Sequence, residues 1–167
     1  FHELTHIFTF DYLYPNALAG AITGDIFTQP PLWLTEGLAE HISNDWDPEG
    51  RMVLNDAIAN NSLLSLKDME TYYTIPPNKF YYVYKEGQAV FDYIAEEFGV
   101  NKISQIFHFI RRTKDMKVVS DKILNISYDE LNTRWQSYMN RTFWTKIEDQ
   151  YSVTKFGTNI SQNLNDN

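Results

Sequence analysis

The chain has 167 residues, of which 43% are hydrophobic and 16% aromatic, enough to bury the core of one globular domain. Its formal net charge of −8 disfavours binding to nucleic acid or to anionic membranes, and no stretch is apolar enough to span a bilayer. The absence of cysteine excludes disulfides, thiolate metal ligands and cysteine nucleophiles.

The first predicted helix, residues 1–9, contains the pattern His-Glu-x-x-His. His2 and His6 are four residues apart, so on a helix they lie on one face and can direct two imidazoles at one ion. Glu3 lies beside them, as the general base does in metalloprotease helices with this pattern. The alternative for this segment alone is two surface histidines on an amphipathic helix.

A second predicted helix, residues 31–43, carries Glu36 and Glu40 on one face, again four residues apart. A carboxylate can complete a two-histidine zinc site and leave the fourth position to water. The next carboxylate can accept a hydrogen bond from the free ring nitrogen of a ligand histidine. A solvated helix face would explain these two residues alone, but together with His2 and His6 they favour a metal site.

The remaining predicted elements are helices separated by turn residues, because apolar side chains recur every three to four positions. His41 lies off the face of Glu36 and Glu40 and is predicted to be a solvated helix end.

Residues 127–130 form a predicted capping box at the start of the last predicted helix. The predicted helices span residues 51–60, 79–98, 101–112, 117–124 and 127–145; strand signals are few, such as 72–75, and the ambiguous segment 10–28 includes a possible short helix at 17–22.

The sequences His-Glu-Leu-Thr-His at 2–6 and Trp-Leu-Thr-Glu-Gly-Leu-Ala-Glu at 33–40 resemble the gluzincin metallopeptidases. They are similar to the aminopeptidase N family and to peptidase MA-like domains. The resemblance implies a mainly α fold, the helical half of a zincin domain, with the sheet-bearing upstream lobe of relatives missing from this chain. It also implies that His2, His6 and Glu36 are the zinc ligands.

The same resemblance implies roles for three further residues. Glu3 corresponds to the general base, and Glu40 to the acidic residue that supports a ligand histidine. Tyr84, in Tyr-Lys-Glu-Gly at 84–87, is similar to the tyrosine of a Tyr-Glu-Lys-Gly segment that stabilises the oxyanion in the aminopeptidase N family. Its central two residues are exchanged relative to that segment, and a packing role for Tyr84 is the alternative.

The sequence therefore predicts a zinc-dependent peptidase that acts on a peptide or protein substrate, with Zn²⁺ as cofactor. Residues 1–150 are the expected catalytic domain, and 151–167 a polar tail or linker. We expect an extracytoplasmic location, no nucleic-acid partner, and further domains in the same polypeptide. Two alternatives are an inactive zinc-binding module that serves as a scaffold, and a helical interaction domain with coincidental histidines.

Overall fold

A computed structural model describes residues 1–15, 29–43 and 46–150, without the side chains of 146–150. This part of the chain is helical and contains no β-strand, which confirms the predicted mainly α fold. None of its helices is long and apolar enough to cross a membrane. The helices are α1 His2–Leu13, α2 Leu32–Ser43, α3 Pro48–Ala59, α4 Phe80–Phe98, α5 Asn101–Thr113, α6 Met116–Val119 and α7 Tyr128–Gln150, with 3₁₀ turns at Asp68–Glu70 and Pro77–Lys79 and a π-helical turn at Ser120–Leu124.

Most of these boundaries lie within a few residues of the predicted ones. The N-cap half of the predicted capping box is confirmed, because the Glu130 backbone N–H donates to the Ser127 side-chain oxygen at 3.1 Å, whereas Glu130 Oε1 accepts from Arg134 Nε at 2.7 Å. The strand signal at 72–75 is wrong, since this segment forms turns. The predicted short helix at 17–22 and the tail at 151–167 lie outside the described residues.

Helices α2 and α4 form the centre of the fold and cross with their backbones in contact. At the crossing, a Cβ atom added to Gly37 would lie 2.6 Å from the Gly87 carbonyl oxygen. One added to Gly87 would lie 2.9 Å from the carbonyl oxygen of Trp33. Only glycine fits at both positions, and the two helix backbones are therefore in direct contact.

The core continues from this crossing towards both ends of the chain. Trp33 and Phe91 are fully buried, with ring centroids 5.8 Å apart. The Trp33 indole N–H donates to the Tyr128 hydroxyl at 2.9 Å, which ties α2 to α7. Helix α1 packs against α2 and α5, and its last carbonyl, that of Leu13, accepts a hydrogen bond from the Lys114 ammonium at 2.8 Å.

Glu86 is a carboxyl group within this core. Its Oε2 accepts a hydrogen bond from the Leu64 backbone N–H at 2.8 Å, whereas its Oε1 has no partner among the described residues. Burial raises the pKa of Glu86 from its ordinary value of 4.5 to about 8, against the opposing effects of the Leu64 hydrogen bond and the Lys79 charge. Because its charge is unfavourable in this position, Glu86 retains its proton in the folded protein near neutral pH.

We predict that Gly37→Ala destabilises the protein by about 2 kcal/mol, the usual range for overpacking being 1–3 kcal/mol. Alanine has the higher helix propensity, by about 1 kcal/mol, so a loss of stability can arise only from the steric clash with Gly87. Urea unfolding measures the effect. Asn55→Ala, on the exposed face of α3, is the control and should change stability by less than about 0.5 kcal/mol. An equally or more stable Gly37→Ala variant would contradict the close crossing.

We predict that Glu86 makes stability depend on pH. The unfolded chain releases the proton of the Glu86 carboxyl above about pH 4.5, and the folded protein releases it only near pH 8. The stability that the protonated Glu86 contributes is therefore present at low pH and is lost as the pH rises from about 4.5 to 8. The slope is up to about 1.4 kcal/mol per pH unit. Free energies of unfolding between pH 5 and 8 should therefore fall less steeply for Glu86→Gln than for the native protein or for Glu49→Gln, which alters an exposed carboxylate. Parallel curves would refute the prediction.

Candidate metal centre

The two histidines of α1 point their Nε2 atoms at one place. These atoms are 3.0 Å apart, and the rings meet edge to face with centroids 4.7 Å apart. Both side chains are partly exposed, at 23% and 20%. The four-residue spacing of His2 and His6 therefore has the geometric consequence that the sequence predicts.

Helix α2 brings a carboxylate to the same place. Glu36 Oε2 lies 3.1 Å from His6 Nε2 and 3.5 Å from His2 Nε2. Within the described parts of the chain, these three side chains form the single group of at least three histidine or acidic residues whose ligand atoms all lie within 4.8 Å of one another. Bonds of about 2.0–2.1 Å in a tetrahedral site separate ligand atoms by about 3.3 Å, so the donor spacing and the donor types both fit zinc.

Glu40 lies one helical turn after Glu36 and contacts the other side of His2. Its Oε1 is 3.0 Å from His2 Nδ1. When Nδ1 carries the ring proton, it is donated to this carboxylate, and the lone pair of Nε2 is directed at Glu36 and His6. Glu40 is thus in the position that the sequence predicts for a residue supporting a ligand histidine.

Tyr84 of α4 lies over His2, with nearly parallel rings whose centroids are 6.1 Å apart. Burial raises the pKa of the Tyr84 hydroxyl well above its usual value, and a hydrogen bond with Tyr72 and the carboxylates of Glu36 and Glu3 add to this effect. The hydroxyl therefore remains a hydrogen-bond donor at neutral pH. Glu3 is exposed, and its charge contributes to the raised pKa of the Tyr84 hydroxyl.

A sequence model described as the peptidase MA superfamily matches residues 1–141. The chain belongs to this superfamily. No curated protein and no solved structure matches it. Membership assigns the domain a peptidase-like fold and implies a peptide substrate, and peptidases of this superfamily are typically zinc-dependent.

A cleft of about 510 Å³ opens beside the candidate metal ligands of this peptidase MA domain. It shares His6 and Glu36 with the metal centre. Its wall is mostly apolar and aromatic, and its one further charged group is Glu70. Such a cleft can hold an apolar side chain next to the metal ligands. The other residues that line it are Phe10, Gln29, Pro30, Leu32, Thr35, Thr71, Tyr72 and Tyr73.

Two outcomes differ from the sequence-based expectations for this peptidase MA domain. His41 is not simply a solvated helix end, because its Nδ1 lies 2.7 Å from Asp92 Oδ1, and the Trp46 indole N–H donates to the other oxygen of Asp92 at 2.7 Å. The sequence pattern gives Lys85 no role, yet its Nζ lies 2.6 Å from Glu40 Oε2. Its position directly after Tyr84 indicates that it lies near the site, but its burial depends on contacts between helices.

We predict that Glu36→Gln and His6→Ala each weaken zinc binding by more than about 100-fold, because even residues that only support a ligand contribute 10–100-fold. Competition with a chromogenic chelator measures the affinity, and far-ultraviolet circular dichroism verifies the fold. The matched control is His41→Ala, which removes a histidine from α2, the helix of Glu36, and leaves the three proposed ligands unchanged. Equal zinc affinity in Glu36→Gln and the native protein would exclude Glu36 as a ligand.

Proposed function

We propose that this domain hydrolyses peptide bonds with a zinc ion held by His2, His6 and Glu36. The observation that supports this most strongly is the convergence of their three ligand atoms, from two helices, within 3.5 Å of one another. Two imidazoles and one carboxylate are the ligand set of catalytic zinc sites that keep a coordination position open to water. The partial exposure of all three side chains is consistent with access for such a water.

The proposed mechanism divides the reaction among the residues around the ligands. When bound, zinc supplies Lewis acidity and lowers the pKa of its water to about 7. The Glu3 carboxylate accepts the proton of the attacking water and passes it to the leaving amine nitrogen. The Tyr84 hydroxyl, held protonated by its surroundings, donates a hydrogen bond to the oxygen on which negative charge develops. Glu40 keeps the His2 ring in the required orientation.

The substrate that fits this arrangement is a peptide with an apolar side chain near the cleaved bond. The cleft beside Glu36 contains apolar and aromatic walls and is large enough for such a side chain. Mass spectrometry of a peptide mixture treated with the protein identifies the cleaved bonds. An excess of acidic residues on both sides of those bonds would exclude this substrate class.

A second candidate function is a zinc-binding scaffold without peptidase activity. The outer face of α1 favours this function, because Ile7 and Phe8 are 64% and 66% exposed there. Exposed apolar side chains of this kind are typical of surfaces that bind another protein. The two functions differ in one measurement. A scaffold binds one equivalent of zinc and cleaves no peptide, whereas a peptidase loses activity when a chelator removes the metal and regains it when zinc is restored.

We predict that Glu3→Gln lowers the turnover number by about 10²–10⁴ while zinc affinity is retained, because it removes the base and none of the ligands. Tyr84→Phe should lower it by about 10²–10³, the usual loss for one oxyanion donor. Release of amines from the peptide mixture measures both rates.

Two controls accompany this experiment. Tyr81→Phe removes a neighbouring, exposed hydroxyl and should remain fully active. Zinc content, measured by elemental analysis, shows whether a slow variant has lost its metal. Full activity in Glu3→Gln would refute the assignment of the base, and full activity in Tyr84→Phe would favour its alternative role in packing.

A further inference from the structure

Lys85 lies buried at the junction of α2, α3 and α4, in a position that the proposed reaction does not explain. Its side chain is 3% exposed. Its Nζ contacts Glu40 Oε2 at 2.6 Å and Asp47 Oδ2 at 3.5 Å. A Cβ atom added to Gly50 would lie 2.8 Å from Lys85 Cε, so the first turn of α3 leaves a passage for this side chain.

A lysine is rarely enclosed in this way unless its charge is compensated. Burial alone would lower the pKa of Lys85, but the hydrogen bond and the charge of Glu40 outweigh burial, and the pKa is raised. Tyr81 and Asp47 act in the same direction. The ammonium group is therefore charged and held between two carboxylates from different segments of the chain.

Glu40 is the link between this ammonium and the metal centre. One carboxylate oxygen, Oε2, is held by Lys85, and the other, Oε1, lies 3.0 Å from His2 Nδ1. A carboxylate fixed at one oxygen can rotate little, so the second oxygen is presented to the imidazole in one direction. The contacts run continuously from Asp47 through Lys85 and Glu40 to His2, and join α1, α2, α4 and the start of α3.

We propose that Lys85 is a positioning residue of the metal centre, which acts through Glu40 to fix the ring orientation and the tautomer of His2. This inference rests on the proposed zinc site and adds to it the residue that holds the supporting carboxylate in place. The Lys85 ammonium contacts the carboxylates of Glu40 and Asp47, and its proposed effect on the metal is exerted through Glu40.

A double-mutant cycle on zinc affinity tests the proposal with the full chain. The variants are Lys85→Met, Glu40→Gln and the double variant, and affinity is measured by competition with a chromogenic chelator. We expect Lys85→Met to weaken zinc binding about 10–100-fold, the range for residues that support a ligand. In the Glu40→Gln background the same change should have less than about a threefold effect, because the path to His2 is already broken.

Two further measurements separate positioning from a purely structural role. Long-range ¹H–¹⁵N spectra of the metal-free protein report the His2 tautomer, which should become mixed in Lys85→Met and remain unchanged in the control Lys79→Met. Lys79 also donates from a partly buried position, to the Ser62 carbonyl at 3.0 Å, but lies outside the contacts to His2. If Lys85→Met is too unstable to purify, Lys85→Gln replaces it in the cycle and should weaken zinc binding at least about threefold.

Three results would overturn the proposal. Unchanged zinc affinity in a folded Lys85 variant would show that the lysine does not act on the metal centre. Equal losses in the native and Glu40→Gln backgrounds would show that it does not act through Glu40. A native chain that binds no zinc would refute the proposed function as well, whereas zinc binding that is insensitive to Lys85 refutes this inference alone.

Discussion

The candidate metal centre depends on the contact between two glycines. Gly37 and Gly87 allow α2 and α4 to touch with their backbones, and any side chain at either position would meet main-chain atoms closer than 3 Å. Each glycine lies next to residues that face the site: Glu36 precedes Gly37, and Tyr84 and Lys85 precede Gly87 by less than one helical turn. Larger residues at the crossing would separate the helices and with them the carboxylates of α2 from the lysine and tyrosine of α4.

The crossing also explains why the site can be built from partly buried polar groups. Glu40 and Lys85 are removed from water by the packing of the helices, and each compensates the charge of the other. Removing one partner of such a buried pair destabilises the protein far more than the intact pair stabilises it. A substitution at either residue therefore requires a change at the other. The other oxygen of Glu40 contacts His2, so the packing that buries Glu40 and Lys85 also holds the His2 ring in place.

The sequence predicts the contacts within each helix of this arrangement but not the contacts that depend on packing between helices. Spacings of four residues predicted that His2 faces His6 and that Glu36 and Glu40 share a face, because the helical period alone determines both. The burial of Lys85 could not be predicted, since it arises from three helices and from the space left by Gly50. The partner of His41, Asp92, lies 51 residues further along the chain, and no local pattern indicates it.

The false strand signal has a related cause. Tyrosine, threonine and isoleucine favour strands only where a neighbouring strand is available, and the described residues contain none. The Tyr72 ring instead packs against α4: it meets Phe80 edge to face, with ring centroids 5.5 Å apart, and contributes to the raised pKa of the Tyr84 hydroxyl. Residues that suggested a strand thus form one wall of the cleft beside Glu36.

The distribution of charge supports the division of roles among the three glutamates. Glu36 faces two imidazoles, and Glu40 is balanced by Lys85. Glu3 is exposed and forms no ion pair within the described part of the chain, although its charge reaches Tyr84. Both oxygens of the Glu40 carboxylate are engaged, Oε2 with Lys85 and Oε1 with His2. In the proposed mechanism, the pair that holds His2 in place therefore leaves Glu3, and not Glu40, as the proposed base.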